Sequence, residues 1–197
     1  MYNVFRNGAL GGVLLAGAVA LGCGNLHADT TTGAPPSFTK PSSPPNSIGA
    51  VAPRWLTYDA HKRQAVLTLI AGDGNALGGF NFNDKGKGKM EVDIPRGYRV
   101  VVHFANHGAY PHSVVVTPYA LKDDPRYQES AYPSAFKGSA SPDSTIGIES
   151  GHAVETIVFV AGKVGRYAIV CGVSGHESAG MWDVLKVMAG GTPSYKG

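Results

Sequence analysis

Along most of the chain after residue 53, apolar residues recur at every second position, which is the period of a half-buried strand and not of a helix. Residues 64–71 (QAVLTLIA) show this most clearly, and residues 98–105 (YRVVVHFA) set Tyr98, Val100, Val102 and Phe104 against Arg99, Val101 and His103. Similar runs, divided by Gly, Pro, Asn and Asp, predict strands at 79–83 (GFNFN), 89–94 (KMEVDI), 112–117 (HSVVVT), 153–160 (AVETIVFV), 166–171 (RYAIVC) and 182–188 (WDVLKVM). No segment in this part of the chain has a long helical period. Seven or eight short strands at such spacing predict an all-β, Greek-key sandwich or barrel. One connection, residues 118–150, is long and carries little strand pattern. An insertion packed over one face is expected there, with a dedicated docking loop as the alternative.

The first 53 residues do not share the pattern. Arg6 precedes an apolar stretch from Ala9 to Leu21, and small residues follow, so residues 1–28 have the make-up of a signal peptide or anchor. Three endings remain open: acylation at Cys23 after Ala20-Leu21-Gly22, cleavage after Ala28, or retention as a membrane tether. The apolar stretch is short against the ~20 residues a membrane span takes. Each ending places the domain outside the cytoplasm, in the periplasm or on the outer face of the cell membrane. Residues 29–53 are rich in Pro, Ser and Thr and too polar to bury a core, which makes them an extended linker. The folded domain is expected over residues 54–197.

Composition adds three constraints. A chain of 197 residues is long enough to build a core without disulfides. With 27 Gly and 13 Pro and only 16% charged residues, it favours a loop-rich β protein. The net charge of +3 comes from scattered Lys and Arg, which argues against a nucleic-acid partner. The cysteines are more pointed. Cys23 belongs to the leader, so Cys171 is left as a lone thiol in an exported domain and calls for a chemical reason.

That reason is supplied by the segment from Cys171 to Met181, CGVSGHESAGM, which sets a thiol, an imidazole (His176) and a thioether along a Gly-rich loop between two predicted strands. Soft sulfur ligands combined with imidazole suit copper, and two His, one Cys and a long axial Met make a blue-copper site. Zinc would favour more Cys, His or carboxylate and does not use a thioether. Gly172, Gly175 and Gly180 allow the loop to curl around an ion. The fourth ligand has to come from elsewhere. His112, opening a predicted strand after the turn 108–111, is the first candidate, and His107 is its rival. His103 is expected on the exposed face of its strand, His61 and His152 at the surface, and His27 in the leader.

With these residues in view, the chain resembles the cupredoxins and, among them, the sulfocyanin family. The likeness runs over residues 79–187 through FNFN (80–83), IPRGYRVVVHFAN (94–106), YPHSV (110–114) and, most specifically, CGVSGHESAGMW (171–182), with four residues on each side of His176 before the next ligand. It implies a cupredoxin-like fold with one type 1 copper ion on His112, Cys171, His176 and Met181. In many cupredoxins an Asn after the first ligand braces the Cys loop; Ser113 stands there in this chain, and a hydroxyl can make a similar bond.

What the likeness implies is a one-electron carrier and not an enzyme, monomeric, working between respiratory redox partners such as a cytochrome or a terminal oxidase. Docking is expected near His176, ringed by Gly108, Ala109, Pro111, Val173, Ala179 and Gly180. Copper storage or delivery is the alternative function, and it would call for exposed sulfur ligands.

Overall fold

In the computed structural model, residues 55–128, 130–151 and 154–197 are described. The expectations for the leader and linker, and for His27 and His152, lie outside them.

Among the described residues, nine strands build two sheets. They are β1 (Leu56–Asp59), β2 (Gln64–Ala71), β3 (Glu91–Pro95), β4 (Arg99–Asn106), β5 (Val115–Pro118), β6 (Glu155–Val160), β7 (Gly165–Val170), β8 (Trp182–Met188) and β9 (Ser194–Lys196). One sheet has the order β1-β2-β4-β6 and the other β5-β7-β8-β3-β9. Because β3 lies in the second sheet between β2 and β4 of the first, the chain crosses from sheet to sheet and leaves β2/β4 and β3/β8 as parallel neighbours. The fold is the expected all-β, Greek-key sandwich.

The alternation of the sequence becomes the core directly. In the first sheet Leu67 pairs with Val102 and Leu69 with Phe104, while Val102 faces Ile157 and Val100 faces Phe159 on the far side. All seven point into one buried cluster, which Val92, Ile94, Val116, Ile169, Leu185 and Val187 complete from the second sheet. Each such side chain contributes roughly 1.5–3 kcal/mol on burial. His103, on the opposite face of β4, is exposed as expected.

β7 breaks the alternation, since Tyr167, Ala168, Ile169 and Val170 are all buried. Tyr167 and Ile169 belong to the inter-sheet core, whereas Ala168 and Val170 join a second cluster on the outer face with Val115 and Tyr132, flanked by Tyr119, Tyr127, Ala140 and Trp182. The long connection therefore packs over one face of the second sheet. It contains short 3-10 turns at Tyr119–Leu121 and Pro125–Gln128.

Two strand expectations need correction. Residues 79–83 form no strand; a 3-10 turn at Ala76–Gly79 leads into isolated bridges from Phe82 to Ala71 and Lys85. The cause is local. Asn83 turns its amide onto the Ile70 N–H and the Thr68 carbonyl, and Asn81 onto the Ala76 carbonyl, which offers the backbone an alternative to a ladder. The strand expected from His112 begins only at Val115, and His112 itself makes an isolated bridge with Ile148. Short β1 and β9, unmarked by alternation, add one strand to each sheet.

Candidate metal centre

Three strand ends meet at one rim of the sandwich. Val170, the last residue of β7, pairs with Trp182, the first of β8, so Cys171 and Met181 face each other just beyond the ladder. The Cys171 N–H donates to the Met181 carbonyl at 3.1 Å. On the other side of β7, Val115 pairs with Val170, which brings the preceding residues 112–114 alongside Cys171. The Ser113 N–H accordingly points at Cys171 Sγ, 3.4 Å away.

Between Cys171 and Met181 the chain folds on itself through short-range bonds. His176 N–H donates to the Val173 carbonyl at 3.1 Å, Gly180 N–H to Glu177 at 2.7 Å, and Met181 N–H to the carbonyl of His176 at 3.0 Å. Gly172 has no room for a side chain: a Cβ there would lie 2.7 Å from the Ser144 carbonyl oxygen. The loop is thus held at both ends and in its middle.

This framework converges three donor atoms. Cys171 Sγ lies 3.4 Å from His176 Nδ1 and 3.8 Å from His112 Nδ1, and the two Nδ1 atoms are 3.1 Å apart. The point equidistant from all three is about 2 Å from each, close to the bond lengths a first-row metal makes to nitrogen and sulfur. Among the described residues these three form the one cluster with metal-ligand geometry. Met181 is fully buried, shares the core cluster of Cys171, and is bonded through its backbone to both loop partners. His107 is exposed at the surface and lies outside the cluster, as do the exposed His61 and His103.

Residues 52–196 match the family model of the sulfocyanin (SoxE) domain. The chain belongs to the sulfocyanin family. A curated relative, sulfocyanin from Sulfolobus acidocaldarius, is 27% identical over 140 residues, covering 70% of each chain. Among solved structures, reduced auracyanin from Roseiflexus castenholzii is 24% identical with a TM-score of 0.48, covering 62% of this chain and 96% of its own. Auracyanin A from Chloroflexus aurantiacus is 21% identical with a TM-score of 0.46, covering 64% of this chain and 99% of its own. A sulfocyanin is a blue copper protein, and its cofactor is one type 1 copper ion. The thiol, two imidazoles and thioether gathered at this rim have the donor chemistry for it.

The surroundings of the site set its protonation. Burial, together with the neighbouring His176, lowers the pKa of His112 to about 4. Burial also lowers that of His176. Both rings are therefore neutral at pH 7, with lone pairs free for a cation. Burial raises the Cys171 thiol, against the backbone N–H groups of Ser113 and Val173, which favour the thiolate. A metal that takes this sulfur must displace its proton, so uptake releases one.

Some of the surrounding structure was not evident from sequence. The collar expected from small residues also contains two aromatic rings: Phe80 stacks on Tyr110 at 5.3 Å and meets the His176 ring edge-on at 4.8 Å. His176, beside which docking is expected, keeps only 9% of its surface exposed, and Gly180 is buried. Asn106, buried at the end of β4, fixes the turn 107–111; its Oδ1 accepts the Gly108 N–H at 2.9 Å and its Nδ2 donates to the carbonyls of Tyr110 and Ile148, each at 2.7 Å. An Asn closing a strand ahead of a Gly is a turn signal that sequence does carry.

Proposed function

We propose that His112, Cys171 and His176 bind the copper through Nδ1, Sγ and Nδ1, with Met181 as the weak fourth ligand, and that the chain carries single electrons between exported or membrane-bound respiratory partners. The observation that supports this best is the convergence of three donor atoms on one point inside a rim fastened by backbone bonds. Copper, when bound, supplies a one-electron couple between Cu(I) and Cu(II).

The protein's own part is to keep the donors still and dry. Ser113 and Val173 direct N–H groups at the Cys171 sulfur and stabilise its negative charge. Phe80 and Tyr110 keep water from the outer side of His176. A donor set that does not have to move when the charge changes lowers the reorganisation that electron transfer requires. The half-buried Pro111 and Val173, with exposed Ala109, Tyr110 and Ala179, form a surface of low charge beside His176, suited to the weak, brief contacts of redox partners. A cytochrome or a terminal oxidase is the partner class that such a surface and the family suggest.

Copper storage or delivery is less well supported, because Cys171 and Met181 are both fully buried and a transfer partner needs access to sulfur. Voltammetry of the copper-loaded domain separates the two. A reversible one-electron wave with copper retained over many cycles is expected. Release of Cu(I) to a competing chelator within a few cycles would favour delivery and sink the carrier reading.

A further inference from the structure

The long connection between β5 and β6 does more than cover a sheet. Its return limb, residues 139–148, runs beside the stretch that carries His112 and bonds to it repeatedly. Val116 N–H donates to the Ser139 carbonyl at 2.8 Å, and Ser141 N–H to the Val114 carbonyl at 2.8 Å. Val114 N–H in turn donates to Ser141 Oγ at 3.0 Å, and Ser113 Oγ donates to the Ser144 carbonyl at 2.6 Å. At the end, His112 and Ile148 exchange both backbone bonds: His112 N–H to Ile148 at 3.1 Å and Ile148 N–H to His112 at 2.8 Å.

His112 precedes β5 by three residues, so the sheet does not hold its backbone; Ile148 does. The contact is close because residue 147 is glycine. A Cβ on Gly147 would fall 2.7 Å from the His112 carbonyl oxygen and 2.9 Å from its nitrogen, and its φ of +80° lies in the left-handed region. Ile148 is tied a second time through its carbonyl, which accepts from Asn106 Nδ2 at 2.7 Å.

We propose that this return limb is a positioning device for His112, with Gly147 and Ile148 as its points of contact; the inference rests on His112 being a copper ligand. The limb's bonds go to the backbone around His112 and to the Ser113 hydroxyl. It acts by fixing the backbone from which the imidazole projects, as the turn held by Asn106 does from the other side. The insertion is thereby part of the metal site's support, which neither surface packing nor partner docking would require.

Two alanine variants test this. Gly147→Ala and Gly151→Ala both place a side chain at positive φ, +80° and +71°, but a Cβ on Gly151 meets nothing within 4 Å. Both should lower the melting temperature. Only Gly147→Ala should move the His112 ring resonances in the NMR spectrum of the copper-free protein and weaken copper binding about 10-fold, the loss expected when support of a ligand is disturbed. Equal effects of the two variants, or unmoved His112 resonances in Gly147→Ala, would overturn the proposal. Should Gly147→Ala fail to fold, amide exchange in the unaltered chain decides: the His112 and Ile148 amides should exchange as slowly as those of β4, and exchange at the rate of the exposed turn at Ala109 would contradict a brace. Absence of a blue site in the unaltered protein, with the NMR contrast intact, would remove the copper assignment and leave the brace standing.

Discussion

The hydroxyl of Ser113 receives the backbone N–H of Gly172 at 2.9 Å, joining the residue after His112 to the residue after Cys171. The same oxygen donates to the Ser144 carbonyl at 2.6 Å, so one small side chain ties the histidine stretch, the cysteine loop and the insertion together. This is the brace that an Asn amide provides in many cupredoxins, made here by a hydroxyl.

Removing it in Ser113→Ala leaves the buried Gly172 N–H without its partner. A loss of about 1–3 kcal/mol is expected, the cost of an orphaned buried donor. Urea unfolding of the copper-free protein measures it. The bond from Ser113 N–H to the sulfur is made by backbone and should survive, so the visible spectrum should change little. A urea midpoint equal to that of the unaltered chain would show that the hydroxyl holds nothing.

Phe80 governs access of water to His176. In Phe80→Ala the ring that lies 4.8 Å from the imidazole is gone, and solvent approaches the site. Water favours the more highly charged oxidised state, so the reduction potential should fall, on the order of tens of millivolts, where roughly 59 mV is a tenfold change for one electron. Voltammetry at one pH compares the two proteins. An unchanged or higher potential would mean that Phe80 does not shield the site.

Acid should weaken the tie between β3 and β9. Burial pushes the Asp93 carboxyl up, but hydrogen bonds from the Lys196 ammonium (2.8 Å) and the Ser194 hydroxyl (3.0 Å), with the charges of Lys196 and Lys186, outweigh it and leave its pKa below the ordinary value. A carboxyl depressed by folding adds stability above its unfolded pKa, and that contribution is lost as pH falls through the lower folded value. Asp93→Asn should therefore cost stability at pH 7, and the gap from the unaltered protein should close below the usual carboxylate range. Thermal melts across pH provide the comparison, and a gap that stays constant with pH would exclude this role.

Much of this site could be read from the sequence because Cys171, His176 and Met181 share one loop, where spacing and residue type are visible together. His112 was accessible through its place at the end of a turn and the start of an apolar run. The strands of the core followed from alternation, since Leu67, Leu69, Val100 and Val102 face a single cluster. Other parts leave no such trace. Phe80 reaches His176 only because Asn81 and Asn83 bend the chain with side-chain bonds, and a pattern of aromatic residues there looks like a strand. The pairing of His112 with Ile148 is backbone to backbone across a long loop, and nothing in the identity of either residue announces it. Gly147 and Gly172 resemble any loop glycine until the groups packed against them are known. β1 and β9 are too short for alternation to mark them.

The proposed function needs Cys171, with His112 and His176, to hold one copper ion in a site built for electron transfer. Loading the domain with one equivalent of Cu(II) and recording its visible absorption and EPR spectra, beside those of Cys171→Ala, tests it most directly. An intense blue thiolate-to-copper band in the unaltered protein, absent from the variant, is the expected result. A protein that binds the ion but stays colourless, or a band that survives the loss of Cys171, would rule out a copper–thiolate bond at Cys171.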